Sequence, residues 1–387
     1  MQHVGVICEY NPFHAGHGHL LSCVRAAETV ICLMSGYFTQ RGEAAVLPPA
    51  ERAAMALAAG ADLVLELPFP FSAASARYFS TAGVTALQML GCDTLAFGSE
   101  SADLVALRSA ATRTLEDDFA KKVANGAKNR GDAAAYFDAL GDGLPPNDIL
   151  ATEYVRAAML LGDRLALHPV RRVGAGYHDT ALTQAYPSAT ALRKKMGEGG
   201  DIAPDLLPET AEIWKAGVTK WGTADTARLG TALLAQLRAM RAKSAKTGAE
   251  NPIADCGGGL LERLMGAALE ATDYASLCRA AATKKYTDGR IRRALLYLLA
   301  GVTYGDLEAA PAYLRLLGVN EKGREFLSKT RKTRTVPVVT KAADVAALGE
   351  RAARQRELST VAEGLYALCL PRDVLPAALS VIPPVLL

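Results

Sequence analysis

Short apolar runs alternate with longer helical patterns through the first half of the chain. The apolar runs cover residues 4–8, 29–34, 62–67 and 94–98, and a fifth is expected around residues 171–174. Ala-rich segments with helical spacing lie between them, as at residues 51–59 and 82–90. A strand, then a helix, then another strand is typical of a parallel sheet covered by helices. The first half is therefore predicted to be a Rossmann-like α/β domain.

The second half of the chain has a different sequence pattern. After a Gly-rich break at residues 197–200, Ala-, Leu- and Arg-rich segments follow with helical spacing, and residues 334–340 (RTVPVVT) are the one strand-like piece. We therefore predict an α/β domain over residues 1–200 and a mainly helical domain over residues 201–387. A chain of 387 residues is long enough for each to bury its own core.

Charge, apolar runs and cysteine usage exclude several classes of protein. The first ten residues lack the pattern of a signal peptide, and no apolar run reaches about 18 residues. The seven cysteines form no C-x-x-C pair, which favours reduced thiols. These features predict a cytoplasmic protein with no membrane contact. A net charge of only +3 excludes a chain that is basic along its whole length.

The loop after the first strand carries a histidine motif. His14 and His17 flank Gly16, directly before a predicted helix. Their side chains should point the same way in the first helical turn, near free N–H groups and the positive end of the helix dipole. Gly16 would let a phosphate or an adenine approach the backbone. The loop follows a parallel strand, where α/β sheets bind ligands.

This H-x-G-H pattern is the signature of the nucleotidyltransferase superfamily. Its chemistry is displacement at the α-phosphate of a nucleoside triphosphate, and two imidazole donors would stabilise the charge on the departing pyrophosphate. We predict that His14 and His17 are catalytic, whereas His19 is equally consistent with an exposed side chain. A zinc cluster of these histidines with Cys8 and Glu9 is the alternative, but a second ligand pair is missing. We therefore predict no metal site in the protein itself.

A second phosphate-binding element is expected near residue 190. Ser188 follows a proline and should cap a helix, with Thr190 in its first turn and Arg193 further along. Hydroxyl and backbone donors, with the guanidinium, would hold the β- and γ-phosphates from the side opposite the histidines. Arg193 is therefore the third predicted catalytic residue. The alternative is an ordinary capped helix with surface bases.

Longer motifs resemble the tRNA(Met) cytidine acetate ligase family over nearly the whole chain. They are residues 5–17 (GVICEYNPFHAGH), 34–43 (MSGYFTQRGE), 60–68 (GADLVLELP), 97–100 (FGSE), 147–150 (NDIL), 174–179 (GAGYHD) and 290–295 (RIRRAL).

The resemblance implies a nucleotidyltransferase domain followed by a mostly helical one. It implies an enzyme that makes acetyl-adenylate from acetate and ATP and acetylates the wobble cytidine of elongator tRNA(Met), with no obligate protein partner. Mg²⁺ is expected with the ATP. With the predicted Ser188 and Thr190, the ATP site would consist of Ile7, Cys8, Glu9, Tyr10, Asn11, Pro12, Phe13, His14, Ala15, Gly16, His17, Gly18, His19, Leu20, Gly98, Asn147, Arg172 and Val173.

The chain departs from the family pattern at two places. Residues 48–50 are Pro-Pro-Ala where the family usually has Asp-Lys-Trp, and Arg52 is the nearby base that could replace the lysine. Asn147 is followed by Asp148, where a second asparagine is common.

A basic segment lies in the second half. Residues 281–341 contain 13 Lys or Arg and five Asp or Glu, a local charge of +8, which leaves −5 for the rest of the chain. Such a segment attracts a polyanion, and Tyr286 and Tyr304 could stack on unpaired bases. The residues predicted to bind tRNA are Lys284, Lys285, Arg290, Arg292 and Arg293.

Two other functions remain open from the sequence. A small-molecule adenylyltransferase would share the histidine loop but would not need the basic segment. A non-catalytic RNA-binding protein on the same fold would explain the missing Asp-Lys-Trp motif. Dependence of ATP–pyrophosphate exchange on acetate separates the ligase from both.

Overall fold

One mixed sheet forms the centre of the molecule. The computed structural model describes residues 1–130, 132–140, 145, 148–173, 186–244, 252–380 and 382–387. In these ranges the strands are β1 His3–Cys8, β2 Thr29–Ser35, β3 Leu63–Leu67, β4 Thr94–Ser99, β5 Ala166–Arg171, β6 Leu314–Val319, β7 Val338–Val339 and β8 Val385–Leu386. Their order is β5-β4-β1-β2-β3-β6-β7, and β8 pairs with β6. The first five strands are parallel, which confirms the predicted α/β fold.

Helices cover both faces of this sheet and build most of the second half. They are α1 Ala15–Cys23, α2 Pro49–Ala58, α3 Ala76–Leu90, α4 Leu104–Thr114, α5 Phe119–Arg130, α6 Asp132–Leu140, α7 Asp148–Leu160, α8 Ala189–Gly197, α9 Pro208–Trp221, α10 Gly230–Ser244, α11 Leu260–Glu270, α12 Tyr274–Ala281, α13 Asp288–Ala300, α14 Tyr304–Glu308, α15 Glu321–Lys329, α16 Glu350–Cys369 and α17 Pro376–Ser380. None of the helices in the described ranges is long and apolar enough to cross a membrane.

Alternate residues of the central strands enter two separate cores. Ile31 and Leu33 of β2 face a core shared with α3, α7 and the helices of the second half. Val30 and Cys32 face the core under α2 and α9. Because successive side chains of a strand point to opposite faces, strands buried on both faces are nearly continuous apolar runs. This is why the first four strands were recognisable from sequence.

The second half also supplies strands, so the prediction of a single strand-like piece at residues 334–340 is wrong. Only Val338–Val339 of that piece is a strand, whereas Leu314–Val319 and Val385–Leu386 were missed. The run LRLLGV has no clear period, and β6 forms because it pairs antiparallel with the outer side of β3. Strand β6 of the second half pairs with β3, and residues of both halves share one core, so the division near residue 200 stays a prediction.

The fifth parallel strand begins earlier than predicted. It is Ala166–Arg171, so Arg172 and Val173 follow it, and residues 174–185 lie outside the described ranges. Pro169 weakened the strand pattern, but β5 is the last strand of the sheet, where a missing backbone donor is tolerated.

Candidate active site

A cleft of about 250 Å³ opens at the carboxyl ends of the parallel strands. Its floor comes from the ends of β1, β4 and β5, and its walls come from the starts of α1 and α8 and the loop after β2. This is the edge where open α/β sheets bind their ligands. The fold therefore brings together segments that are up to about 180 residues apart in the chain, as His14 and Arg193 are.

The two histidines of the motif cap α1 reciprocally. His14 is the N-cap, and its Nδ1 accepts a hydrogen bond from the backbone N of Gly16 at 3.0 Å. Nδ1 of His17 accepts from the backbone N of His14 at 3.3 Å. The two rings stack with centroids 3.8 Å apart. A Cβ on Gly16 would lie 2.9 Å from Cε1 of His14, so only glycine leaves that ring in place.

These hydrogen bonds determine which nitrogen carries the proton. Because both Nδ1 atoms accept, each neutral ring is protonated at Nε2. Burial lowers the pKa of His14 to about 3, with a further contribution from the guanidinium groups of Arg172 and Arg193. Burial, His14 and Arg172 lower the pKa of His17 in the same direction. The cleft therefore presents two uncharged Nε2–H donors beside cationic guanidiniums.

The opposite wall is the start of α8, as predicted. Ser188 caps this helix, and its Oγ accepts from the backbone N of Ala191 at 3.1 Å. Arg193 donates from Nη1 to the carbonyl oxygen of Asn11 at 2.7 Å, which ties α8 to the histidine loop. The cleft thus lies between two capped helix N-termini, each of which favours anions.

The floor at β4 is held in place by a buried carboxylate. Asp148 at the start of α7 is fully buried and accepts from the backbone N of Glu100 at 2.8 Å and of Ser101 at 3.1 Å. Its Oδ1 also accepts from Ser99 Oγ at 3.0 Å. The departure from asparagine at this position therefore places a carboxylate acceptor against the three residues that follow Gly98.

The chain matches the HIGH Nucleotidyl Transferase family over residues 1–377. The tRNA(Met) cytidine acetate ligase of Syntrophotalea carbinolica is 39% identical over 363 residues, which cover 88% of this chain and 85% of that protein. The ligase of Anoxybacillus flavithermus is 32% identical over 403 residues, with 96% and 98% covered. This chain belongs to the tRNA(Met) cytidine acetate ligase family.

Solved structures agree with that assignment. The apo crystal structure of Thermotoga maritima TmcAL superimposes with a TM-score of 0.88 at 29% identity and covers all of both chains. The same Thermotoga protein bound with α-thio ATP superimposes with a TM-score of 0.85, again over all of both chains. The fold predicted for the ligase family is therefore confirmed.

Most residues that the ligase resemblance assigned to ATP lie at the cleft. The predicted residues that line it are Ile7, Cys8, Glu9, Tyr10, Asn11, His14, Gly16, His17, His19, Leu20, Gly98, Arg172, Val173, Ser188, Thr190 and Arg193. Those that do not are Pro12, Phe13, Ala15 and Gly18. Phe13 is fully buried against Tyr10, and Gly18 faces Leu207. Asn147 lies outside the described residues, and contact with ATP stays a prediction for every residue.

Sequence reasoning missed one wall of the cleft, the loop after β2. Thr39, Gln40, Arg41 and Glu43 line the cleft there. The loop adjoins β1 because Gln40 N donates to Glu9 Oε1 at 2.8 Å. The ligase-like run at residues 34–43 pointed to this loop, and so did its position after a strand adjacent to β1. Neither signal assigned a role to its side chains.

Arg52 does not replace the lysine of the family's Asp-Lys-Trp motif. Its side chain is fully buried, and it donates to the carbonyl oxygens of Glu9 at 2.6 Å, Ser35 at 3.0 Å, Leu47 at 2.9 Å and Gly36. Arg52 therefore holds the ends of β1 and β2 from behind the cleft. The Pro-Pro pair begins α2, with Pro49 at the first helical position, where proline is well suited.

The residues predicted to bind tRNA lie on and beside α13, and most of them make internal contacts. Arg292 pairs with Glu43, and Arg293 Nε lies 2.7 Å from Asp255 Oδ2. Arg290 and Lys285 donate to the carbonyls of Gly257 and Gly258, at 2.9 Å and 2.8 Å. Lys284 and Lys285 are exposed.

Tyr286 is buried, and its hydroxyl donates to the Gly258 carbonyl, so the prediction that it stacks on bases is wrong. Tyr304 is 41% exposed, so base stacking there stays a prediction.

The rest of the predicted basic segment lies elsewhere. Because β6 runs antiparallel to β3, α15 begins at the amino end of the parallel strands, where Asn320 N donates to Asp62 O at 3.0 Å. Lys322 and Lys329 lie there beside His3 and Thr29, the first residues of β1 and β2. The bases of α13 and of α15 therefore lie at opposite edges of the sheet, and Arg315 of the same segment pairs internally with Glu66 and Glu363.

Proposed function

We propose that this protein is an ATP-dependent ligase that acetylates the exocyclic amine of the wobble cytidine of elongator tRNA(Met). In the first step acetate displaces pyrophosphate from the α-phosphate of ATP and gives acetyl-adenylate. In the second step the amine takes the acetyl group and AMP leaves. The observation that carries the proposal is the pair of neutral Nε2–H imidazoles at the start of α1, opposite the capped start of α8.

The cleft has the groups that adenylyl transfer requires. Nε2–H of His14 and His17 would donate to the phosphoryl oxygens on which charge develops, and Arg172 and Arg193 would balance the pyrophosphate. Preorganised donors of this kind need no covalent enzyme intermediate. The likeness to a Thermotoga structure bound with α-thio ATP supports ATP as the nucleotide.

Mg²⁺ would arrive with the triphosphate. In the described ranges, no three His, Cys, Asp or Glu side chains converge as a metal site. Phosphate oxygens and water are the ligands that Mg²⁺ prefers alongside one or two carboxylates. In this cleft the ion would be held by the phosphate oxygens and water.

The direct test is the exchange of radiolabelled pyrophosphate into ATP, with and without acetate. A ligase requires acetate for exchange, and mass analysis of tRNA incubated with the protein, ATP and acetate should show acetylcytidine. Exchange that does not depend on acetate would point to a small-molecule adenylyltransferase. No exchange under either condition would point to a non-catalytic RNA-binding protein.

The exposed lysines before α13 are expected to contact tRNA phosphates. Lys284→Glu with Lys285→Glu should weaken tRNA binding. The slope of log affinity against log salt is negative, and it should become shallower by about one for each phosphate that a lysine no longer neutralises. The matched control is Lys322→Glu with Lys329→Glu, which makes the same charge change at the opposite edge of the sheet. Filter binding at several salt concentrations measures both. Equal weakening by the two pairs would contradict a tRNA surface on the cleft side.

A further inference from the structure

The cleft contains an acidic side chain that phosphate chemistry does not use. Glu9 directly follows β1 and lines the cleft, and its Oε1 accepts from Gln40 N at 2.8 Å. A carboxylate repels a polyphosphate at close range. Glu9 is therefore poorly suited to hold the ATP phosphates, although it lies within the segment that the ligase resemblance assigns to ATP.

The hydrogen bond from Gln40 connects Glu9 to the loop after β2, and this loop packs against α13. The loop bound to Glu9 continues through Gly42, where a Cβ would lie 2.6 Å from the backbone N of Arg293 on α13. The next residue, Glu43, pairs with Arg292. In contrast, His14, His17 and Arg172 come from α1 and the end of β5, and Arg193 of α8 lies near both Glu9 and His14. The loop after β2 thus connects Glu9 to α13, beside which tRNA is proposed to bind.

We propose that Glu9 is the general base of acetyl transfer and binds the amine of the wobble cytosine. A carboxylate is the acceptor that suits the two N–H groups of this amine. As the amine nitrogen attacks the acetyl carbonyl carbon, the new C–N bond forms and the bond to the AMP oxygen breaks. The amine proton passes to Glu9 and then to water, and AMP leaves with the bonding electron pair. This role rests on the proposed function.

The surroundings of Glu9 suit a base. Burial raises the pKa of its carboxyl group, while the backbone N–H of Gln40 and the guanidiniums of Arg193 and Arg41 act in the opposite direction. The other ionisable groups that face it include Glu43 from the same loop, Tyr154 from α7 and the buried guanidinium of Arg52 from α2. A base whose pKa moves toward neutrality takes a proton more effectively than an ordinary carboxylate at working pH.

The test compares the two half-reactions in Glu9→Gln, which keeps an oxygen able to accept from Gln40 N. Acetyl transfer to tRNA in a single turnover should fall at least about 100-fold more than acetate-dependent pyrophosphate exchange does. In the unsubstituted protein the transfer rate should rise with pH as Glu9 loses its proton and then level off, and Glu9→Gln should lose that rise. If Glu9→Gln retains acetate-dependent pyrophosphate exchange, that result also shows that the variant is folded.

Two further variants sharpen the result. Glu9→Asp should retain the pH-dependent rise at a lower rate. Glu43→Gln removes a neighbouring charge that raises the pKa of Glu9, so it should move the rise to lower pH without abolishing it. Equal loss of exchange and transfer in Glu9→Gln, or an unchanged pH profile, would overturn the role of Glu9 alone. If the unsubstituted protein forms no acetylcytidine, the proposed function fails and this role fails with it.

Discussion

His17→Ala is expected to lower the rate of acetate-dependent pyrophosphate exchange by about 10²–10³-fold, because one preorganised donor to the leaving pyrophosphate is removed. The substitution also removes the acceptor for the backbone N of His14 and the ring that stacks on His14 at 3.8 Å. The second imidazole should therefore lose its fixed orientation too. Exchange kinetics at saturating ATP and acetate measure the effect.

The affinity of His17→Ala for tRNA should equal that of the unsubstituted protein, because the basic surface beside α13 is built from other segments. His168→Ala is the matched control, since His168 lies on β5 and is not among the residues that line the cleft. A His17→Ala variant that retains more than about a tenth of the exchange rate would contradict a catalytic role of this donor.

Arg52→Met is expected to reduce the free energy of unfolding by about 2–4 kcal/mol. The guanidinium is fully buried, and its four acceptors are main-chain carbonyls that would be left without this donor. Methionine fills similar space but donates no hydrogen bond. Urea unfolding should show a lower midpoint at unchanged slope.

Arg279→Met is the comparison for Arg52→Met. Arg279 is exposed on α12, and its loss should change the free energy of unfolding by no more than about 0.5 kcal/mol. If both variants unfold at the same urea concentration, the carbonyl contacts of Arg52 contribute little to stability. In that case the ends of β1 and β2 are held by the sheet alone.

The histidine site was predictable because its geometry is local. His14, Gly16 and His17 lie within one helical turn, so their spacing largely determines how the rings meet at the start of α1. Ser188 as a cap was predictable for the same reason, since a serine after a proline marks a helix start. The convergence of these two sites followed from the rule that ligands bind at the carboxyl ends of parallel strands.

The sequence did not reveal the roles that the structure supports for Glu9, Arg41 and Arg52. All three lie near one another only because β1 and β2 are adjacent and α2 packs behind them. The sequence offered Arg52 as a base that could replace the family's lysine, and burial among carbonyls gives it a structural role instead. Its environment comes from Leu47, Glu9 and Ser35, which belong to three different segments.

By itself, the sequence determined the parallel α/β core and the paired imidazoles at a helix start, because both follow from short-range periodicity and spacing. Only the tertiary structure decided where the basic segment lies. A continuous charge of +8 along the chain became two surfaces, since β6 runs antiparallel to β3 and carries α15 to the amino end of the sheet. Strand direction depends on pairing between residues about 250 positions apart, and no local pattern encodes it.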